Sequence, residues 1–291
     1  MMKRAFLTMS IVVIAIMGSA CSMSGSAGHS FETEQTFQVG DIEAIEIENE
    51  SWDIDFNRTD SKQITISAVG EKRDEQSQPV VIKKDGNKLI VTQREEKVGF
   101  MDYFTFNKEE TISISIPNHG VDKITVNNRN GNVGWNDVAI DNIVLSNETG
   151  TTIVEGLTAD TGQFTSEHGE LSMKRSSVNE LTIASTTGDN DINNVTSSSM
   201  KITNRDGTVL VKDANESESL VVQTKSGDIM VSYKKAPTSL AVSASSHISD
   251  IAVQLNGYKE TKNTNQSKSG VIGKGVNNLE LTSEYGTIDV R

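Results

Sequence analysis

Met200-Lys201-Ile202-Thr203-Asn204-Arg205-Asp206-Gly207-Thr208-Val209-Leu210-Val211 is restated twenty residues later by Leu220-Val221-Val222-Gln223-Thr224-Lys225-Ser226-Gly227-Asp228-Ile229-Met230-Val231. In both stretches apolar residues lie seven and five positions before the glycine and two and four after it, and a small polar residue lies three before it. Spacing by two puts side chains on one face of a strand, so each unit reads as two short strands meeting at a glycine corner.

Working outward, Gly131, Gly150, Gly169, Gly188 and Gly207 are nineteen residues apart, Gly227 follows at twenty, and Gly286 repeats the register. The pairs before the corner include Ile124 and Val126, Ile143 and Leu145, Leu181 and Ile183, and Leu279 and Leu281; those after it include Val133 and Trp135, Leu171 and Met173, and Ile288 and Val290. A period of this length marks a stacked array, and two strands per unit are too few for a propeller blade. The fold expected is all-β, a single-chain parallel β-solenoid with turns of about 19–20 residues. Equivalent residues then lie about 4.8 Å apart in neighbouring turns. The inward pairs form columns, each residue contributing roughly 1.5–3 kcal/mol on burial.

The residue three before the corner is always small and polar: Asn128, Asn147, Ser166, Ser185, Asn204, Thr224 and Ser283. Such side chains bond the backbone two residues on and start a turn, and glycine supplies the positive φ that closes it. Three positions break the apolar rule: Thr152, Asn190 and Gly162. Ala244 to Asp250 reads as a unit whose turn is two residues longer.

The register also occurs earlier, in Ile45, Ile47, Asn49, Trp52, Ile54 and Phe56, with Trp52 in the glycine's place. Further strands are expected at Ile64–Ile66, at Val80–Val91 around the turn Asp85-Gly86, and at Ile112–Ile116, stopped by Pro117. Two stretches interrupt the rhythm. Residues 93–110 hold Phe100, Tyr103, Phe104 and Phe106, a candidate partner-contact cluster or a flap packed on the coil. Residues 254–274 are rich in Asn, Lys, Ser, Thr and Gly and read as a flexible excursion. The sequence runs only five residues beyond Gly286, so an open coil end is expected there, shielded by that excursion or by a partner.

Lys3 and Arg4 precede an apolar run from Ala5 to Met17 and then Gly18-Ser19-Ala20-Cys21, a pattern of bacterial export signals. Small residues before Cys21, the single cysteine, resemble a lipobox, which would place a lipid on that residue. Gly18 stands where lipoboxes usually carry Leu, and ordinary signal peptidase would instead leave Cys21 as a free thiol. A lone thiol in an exported chain is hard to account for, which favours lipidation. Removal of residues 1–20 takes the net charge from −13 to −15. Such acidity argues against nucleic acid and against electrostatic binding to anionic lipid. The organisation expected is signal 1–20, tether 21–36, an irregular N-terminal β-coil over 37–120 with hairpin and aromatic insertion, and regular repeats over 121–291 with a polar insertion at 254–274.

Little in the sequence points to chemistry. His29, His119, His168 and His247 are scattered, no cofactor motif occurs, and no catalytic or metal-ligating set is assigned. A Ser-x-x-Lys string at Ser232 and Lys235 lacks its companion motifs. Gly188-Asp189-Asn190-Asp191 offers oxygens for calcium without the repeated nonapeptide of calcium coils. The residues one past each corner, Asn132, Thr151, Glu170, Asp189, Thr208, Asp228 and Thr287, form a polar ladder that reads as a solvated strand face.

Ser226-Gly227-Asp228-Ile229 with its strand Leu220–Thr224, the segment Ile112–Pro117 leading into Val121–Val126, and Gly270-Val271-Ile272-Gly273-Lys274-Gly275 followed by Leu279–Val290 carry a resemblance. From about residue 40 onward the chain resembles the adhesin-like β-strand-repeat family of bacterial cell-envelope proteins. The resemblance implies a solenoid fold and supplies no catalytic residues. The function expected is a non-enzymatic, envelope-anchored adhesin or binding protein whose partner is an envelope protein or surface polymer. The alternatives are an accessory in envelope-stress sensing or signalling that binds a membrane protein, and a polysaccharide-acting enzyme.

Overall fold

The computed structural model describes residues 29–72, 74–94, 110–248 and 250–291. Each repeat makes one circuit of a flattened coil, laying one strand in a broad sheet of thirteen strands and the next in a narrow sheet of twelve. In the broad sheet Lys123–Asn128, Ala139–Thr149, Thr158–His168, Ser177–Thr187, Ser199–Asp206 and Ser219–Thr224 lie side by side in chain order. In the narrow sheet Val133–Asn136, Thr152–Glu155, Leu171–Lys174, Asn190–Asn193, Val209–Ala214 and Ile229–Tyr233 do the same. Neighbours pair in parallel with the glycine register kept, Leu145 opposite Phe164 and Phe164 opposite Ile183. The expected parallel β-solenoid is the fold observed.

The expected apolar columns are buried between the sheets, and Ile54, Val126, Met173, Ile202 and Leu281 are all fully enclosed. A third inward group lies beyond a second corner, at Val138, Leu157 and Val195 and at Ile140, Ala159 and Val178. That corner also recurs every nineteen residues, at Asp137, Gly156, Arg175, Asn194 and Asp213, all with φ between 48° and 71°.

At the first corner the glycines are needed for a reason beyond conformation. Gly131, Gly150, Gly188 and Gly207 have positive φ, whereas Gly169, Gly227 and Gly286 do not. At all seven a β-carbon would collide with a backbone carbonyl of the coil beneath: Gly150 faces Gly131, Gly169 faces Gly150, Gly188 faces Gly169, and Gly131 itself faces Trp52. The coils therefore stack glycine on glycine, too closely for any side chain. The polar residues three before the corner point inward, and most donate to a corner carbonyl: Asn128 Nδ2 to Gly131 O (2.7 Å) and Thr224 Oγ1 to Gly227 O (2.7 Å) in their own coil, Asn204 Nδ2 to Gly188 O (2.9 Å) and Ser283 Oγ to Gly227 O (2.9 Å) in the coil beneath. Several also bond one another, Asn128 Nδ2 reaching Asn147 Oδ1 at 2.8 Å. This ladder corrects the expected turn-initiating role, because carbonyls buried at the corner need donors.

The breaks in the pattern fit the ladder. Thr152 accepts from Asn147 Nδ2 at 3.3 Å, and the wholly buried Asn190 accepts from Ser185 Oγ at 3.0 Å. Gly162 leaves room for Phe164, Val178 and Leu181, which a β-carbon there would touch. Trp52 is a core side chain set edge-on to Phe31, with ring centroids 5.9 Å apart.

Coil order at the two ends departs from chain order. Ala44–Asn49 and Asp53–Thr59 lie between the coil of Lys88–Gln93 and Thr111–Pro117 and that of Lys123–Asn128 and Val133–Asn136. At the other end Asn277–Ser283 and Ile288–Val290 slot between Ser219–Thr224 with Ile229–Tyr233 and Leu240–Ser246 with Ile251–Val253. The coil expected to be an open end is therefore internal. Three of the four sheet edges are antiparallel, Val80–Asp85 on Lys88–Gln93, His29–Gln38 on Gln63–Lys72, and the hairpin Lys259–Thr264 with Ser267–Val271 on Leu240–Ser246, while the fourth, Ile251–Val253, is parallel to Ile288–Val290. Residues 254–274, read as a flexible excursion, thus contain a hairpin that extends the broad sheet. Residues 29–36, read as the end of a tether, belong to a strand.

Candidate binding surface

Cys21, Phe100, Tyr103, Phe104 and Phe106 lie outside the described residues. The seven corner glycines are all in the stacked backbone described above. Candidate surfaces are therefore the outward strand faces and the grooves beside them.

On the narrow sheet much of the rank one past each corner, Asn132, Asp189, Asp228 and Thr287 together with Asp53, is committed to the coil itself. Asp53 Oδ1 accepts the Asn132 amide at 2.7 Å, Asn132 Oδ1 that of Thr151 at 3.0 Å, and Asp189 Oδ1 that of Thr208 at 2.7 Å. Asp228 Oδ1 accepts both the amide and the hydroxyl of Thr287, at 2.7 and 2.8 Å. These oxygens satisfy amides that turn away from the ladder at the corner. The oxygens of Gly188-Asp189-Asn190-Asp191 do not converge: Asp189 serves Thr208, Asn190 points into the core, and Asp191 faces Lys212 Nζ at 3.3 Å. Burial, and after it the neighbouring Asp53, raises the pKa of Asp55 on this face.

The outward face of the broad sheet is different. Thr125, Gln163 and Thr182 form one rank, and Thr165, Thr203 and Gln223 belong to the next. None of these side chains makes a hydrogen bond among the described residues, so their groups are available to a ligand. Neighbouring strands lie about 4.8 Å apart, so these groups stud one flat face, with Val144 and Lys201 interspersed in the first rank and Ala184 in the second.

Among the described residues, three grooves can be set beside these faces. One, of about 250 Å³, runs beside the second corner and is lined by His119, Asp141, Asp160, Asn179 and Ser198 among others. Ser198 Oγ donates to Asn179 Oδ1 at 2.6 Å across its floor. A second, of about 540 Å³, lies by Val39, Lys62 and Pro117. The largest, about 700 Å³, is formed where the 259–271 hairpin meets the broad sheet, with Gln223, Ser245, Thr282, His247, Lys262 and Thr264 among its walls. Sequence reading missed all three, since each joins residues from coils whose adjacency depends on stacking order.

At the other end of the Leu240–Ser246 strand from this third groove, Glu216 fastens the link into that strand. Its carboxylate accepts from the Thr238 amide and hydroxyl and from the Ser239 amide at 2.8–3.0 Å. Burial pushes its pKa up, but the hydrogen bonds outweigh it and leave the pKa lowered. Tyr233 is shifted upward by burial and by Glu216.

No helix among the described residues is long and apolar enough to cross a membrane. A family profile described as Toastrack DUF4097 matches residues 42–291. No curated protein matches the sequence. Among solved structures the chain is similar to a "putative adhesin" of Parabacteroides distasonis at 15% identity, covering 91% of this chain and 98% of that one with a TM-score of 0.49. It is similar to a "putative adhesin" of Bacteroides fragilis at 12% identity, covering 90% and 97% with a TM-score of 0.47. It is also similar to a "putative lipid binding protein" of Parabacteroides distasonis at 11% identity, covering 91% and 98% with a TM-score of 0.48.

Proposed function

Because the chain belongs to the Toastrack DUF4097 family, we propose that it is a non-enzymatic binding protein of the cell envelope that presents a rigid solenoid face to a partner. The observation that carries this reading is the set of unengaged hydroxyls and amides, Thr125, Gln163, Thr182, Thr165, Thr203 and Gln223, on the outward face of the broad sheet. The carboxylates of the narrow sheet support it, since Asp53, Asp189 and Asp228 are occupied in bonding the next coil.

Anchoring rests on the export pattern and on Cys21, with the first strand beginning at His29. A lipid on Cys21 would fix that end of the coil near the membrane. In the intact cell the Cys21→Ser variant is expected in the medium or periplasm; continued membrane fractionation would refute the anchor. For binding, a glycan array and a hydrolysis screen on the purified chain should show retention without turnover. Turnover abolished by Asp228→Asn would overturn the non-enzymatic reading.

A further inference from the structure

We propose that the groove beneath the 259–271 hairpin binds an acidic glycan, an extended hydroxyl-rich polymer carrying carboxylate or phosphate groups. This names the partner class for the binding role above and rests on that reading.

Charge is distributed unevenly. The full chain carries −13, yet residues 225–291, which build this end of the coil, hold eight basic residues against six acidic ones. Elsewhere several basic side chains are paired, as in Lys88 with Glu46 and Arg129 with Glu50. Lys259, Lys262 and Lys268 make no ion pair among the described residues. An acidic polymer is repelled by most of this molecule and admitted at one end, which selects a site as well as a ligand.

The hairpin's backbone places the lysines. Lys259 pairs with Val271, Glu260 with Gly270 and Lys262 with Ser269, so the pairing skips Thr261. Residues three apart in a regular strand face opposite ways; the bulge puts Lys259 and Lys262 on the same face. Through Val271–Ala241 and Ser269–Ser243 that face is the outward one of the broad sheet. The hairpin tip is braced to the coil by Gln266 Nε2 donating to His247 O at 2.8 Å and by the Ser246 amide donating to Gln266 O at 3.1 Å. The groove is therefore formed before any ligand arrives.

Its floor continues outward. Thr264, Ser267, Ser245, Thr282, Gln223 and Thr203 form one row across six neighbouring strands, all bearing hydroxyls or an amide. Lys262 begins the adjacent row, which continues through Ser269 and Ser243, and a lysine beside such a row of hydroxyls suits a chain with both acidic groups and hydroxyls. Glu280 and Glu284 also stand on this side, and Glu284 is next to the corner that holds Lys225 through the Tyr285–Lys225 backbone bond of 2.8 Å. They disfavour ligands of dense charge.

A membrane surface fits less well. Twelve strands side by side span about 50 Å at about 4.8 Å each, and the His29 strand that follows Cys21 lies at the opposite end of its sheet from Ile251–Val253.

The test uses the purified chain from Cys21 onward and four probes: hyaluronate, a glycerol-phosphate polymer, neutral dextran, and vesicles of phosphatidylglycerol. Hyaluronate or the phosphate polymer is expected to bind, whichever does naming the anionic group, with dextran at least about tenfold weaker. Reversing two charges in K259E/K262E should weaken binding by about tenfold or more. Lys123→Glu, far along the coil, should leave it within about twofold, and raised salt should weaken it by screening. Circular dichroism melts establish that both variants are folded. Equal binding of dextran, insensitivity to K259E/K262E, no binding of either acidic polymer, or binding of vesicles alone would overturn the proposal. Glycan binding elsewhere on the face, unmoved by the lysine reversal, would leave the general binding role standing and this groove excluded. Turnover would do the reverse.

Discussion

Four glycine-to-alanine substitutions separate conformational strain from crowding at the corner. Gly40 has no positive φ and open space around it; Gly86 has φ of 60° and open space; Gly169 lacks positive φ but is crowded; Gly188 has φ of 113° and is crowded. A β-carbon on Gly188 would be 2.7 Å from the Gly169 carbonyl carbon, and one on Gly169 would be 3.0 Å from that of Gly150, against ordinary contact at 3.4 Å or more. The carbonyl oxygens lie closer still, so the coils must part by about 1 Å. Hydrogen bonds joining these two coils beside Gly169, such as Gly150 N to His168 O at 3.2 Å and Thr152 N to Glu170 O at 2.9 Å, would stretch with them. Losing about two such bonds costs roughly 2–3 kcal/mol. Positive φ alone costs an alanine about 1–2 kcal/mol. Gly40→Ala should therefore be neutral, Gly86→Ala cost about 1–2, Gly169→Ala about 2–3, and Gly188→Ala about 3–5 kcal/mol, a large share of a typical total of about 5–15 kcal/mol. Urea denaturation followed by circular dichroism reads these as midpoint shifts at constant slope. If Gly169→Ala unfolds within about 0.5 kcal/mol of Gly40→Ala, crowding is not what selects glycine there.

Three further outcomes are expected. Phe56 and Trp135 stack with centroids 3.8 Å apart and planes 7° from parallel, both deeply buried, so Phe56→Ala should cost about 3–5 kcal/mol and alter tryptophan emission; an unchanged melt would deny the stack a role. The lowered pKa of Glu216 means that its contribution is fully present above the unfolded carboxyl value near 4.5 and is lost as pH falls through the lower folded value. The wild-type melting midpoint should thus drop more steeply than that of Glu216→Gln as pH is lowered through and below that value, and parallel profiles would exclude the effect. Deleting residues 257–271 should uncover the edge of Leu240–Ser246 and cause association seen by light scattering; a monodisperse monomer would count against edge protection.

The coil itself was legible because its inward positions recur in register and each is apolar or small and polar. Its order was not. Leu279 and Leu281 suit any neighbour in the stack equally, so nothing in the pattern reveals that they lie between Leu220 with Val222 and Val242 with Ala244. The second corner escaped notice because its left-handed residue is an aspartate, an arginine or an asparagine as readily as a glycine. Gly169 shows how a correct residue can be assigned an incomplete reason: a sequence displays conformational freedom but not the carbonyl of the coil beneath. The groove depends on the Thr261 bulge, and one residue skipped in a ladder leaves no trace in a segment that reads only as polar.

The slot filled by Asn277–Val290 also sets a timetable. A nascent chain emerges in order, so Leu240–Val253 is available before the segment that separates it from Ser219–Tyr233. Until that segment arrives, the outer coil can either wait or dock one level too low, with its apolar columns matched to the wrong neighbour. A parallel strand that must enter between two others faces a slow search. Maturation should therefore be limited by this late insertion, making the far end of the coil the point where synthesis rate and premature pairing compete.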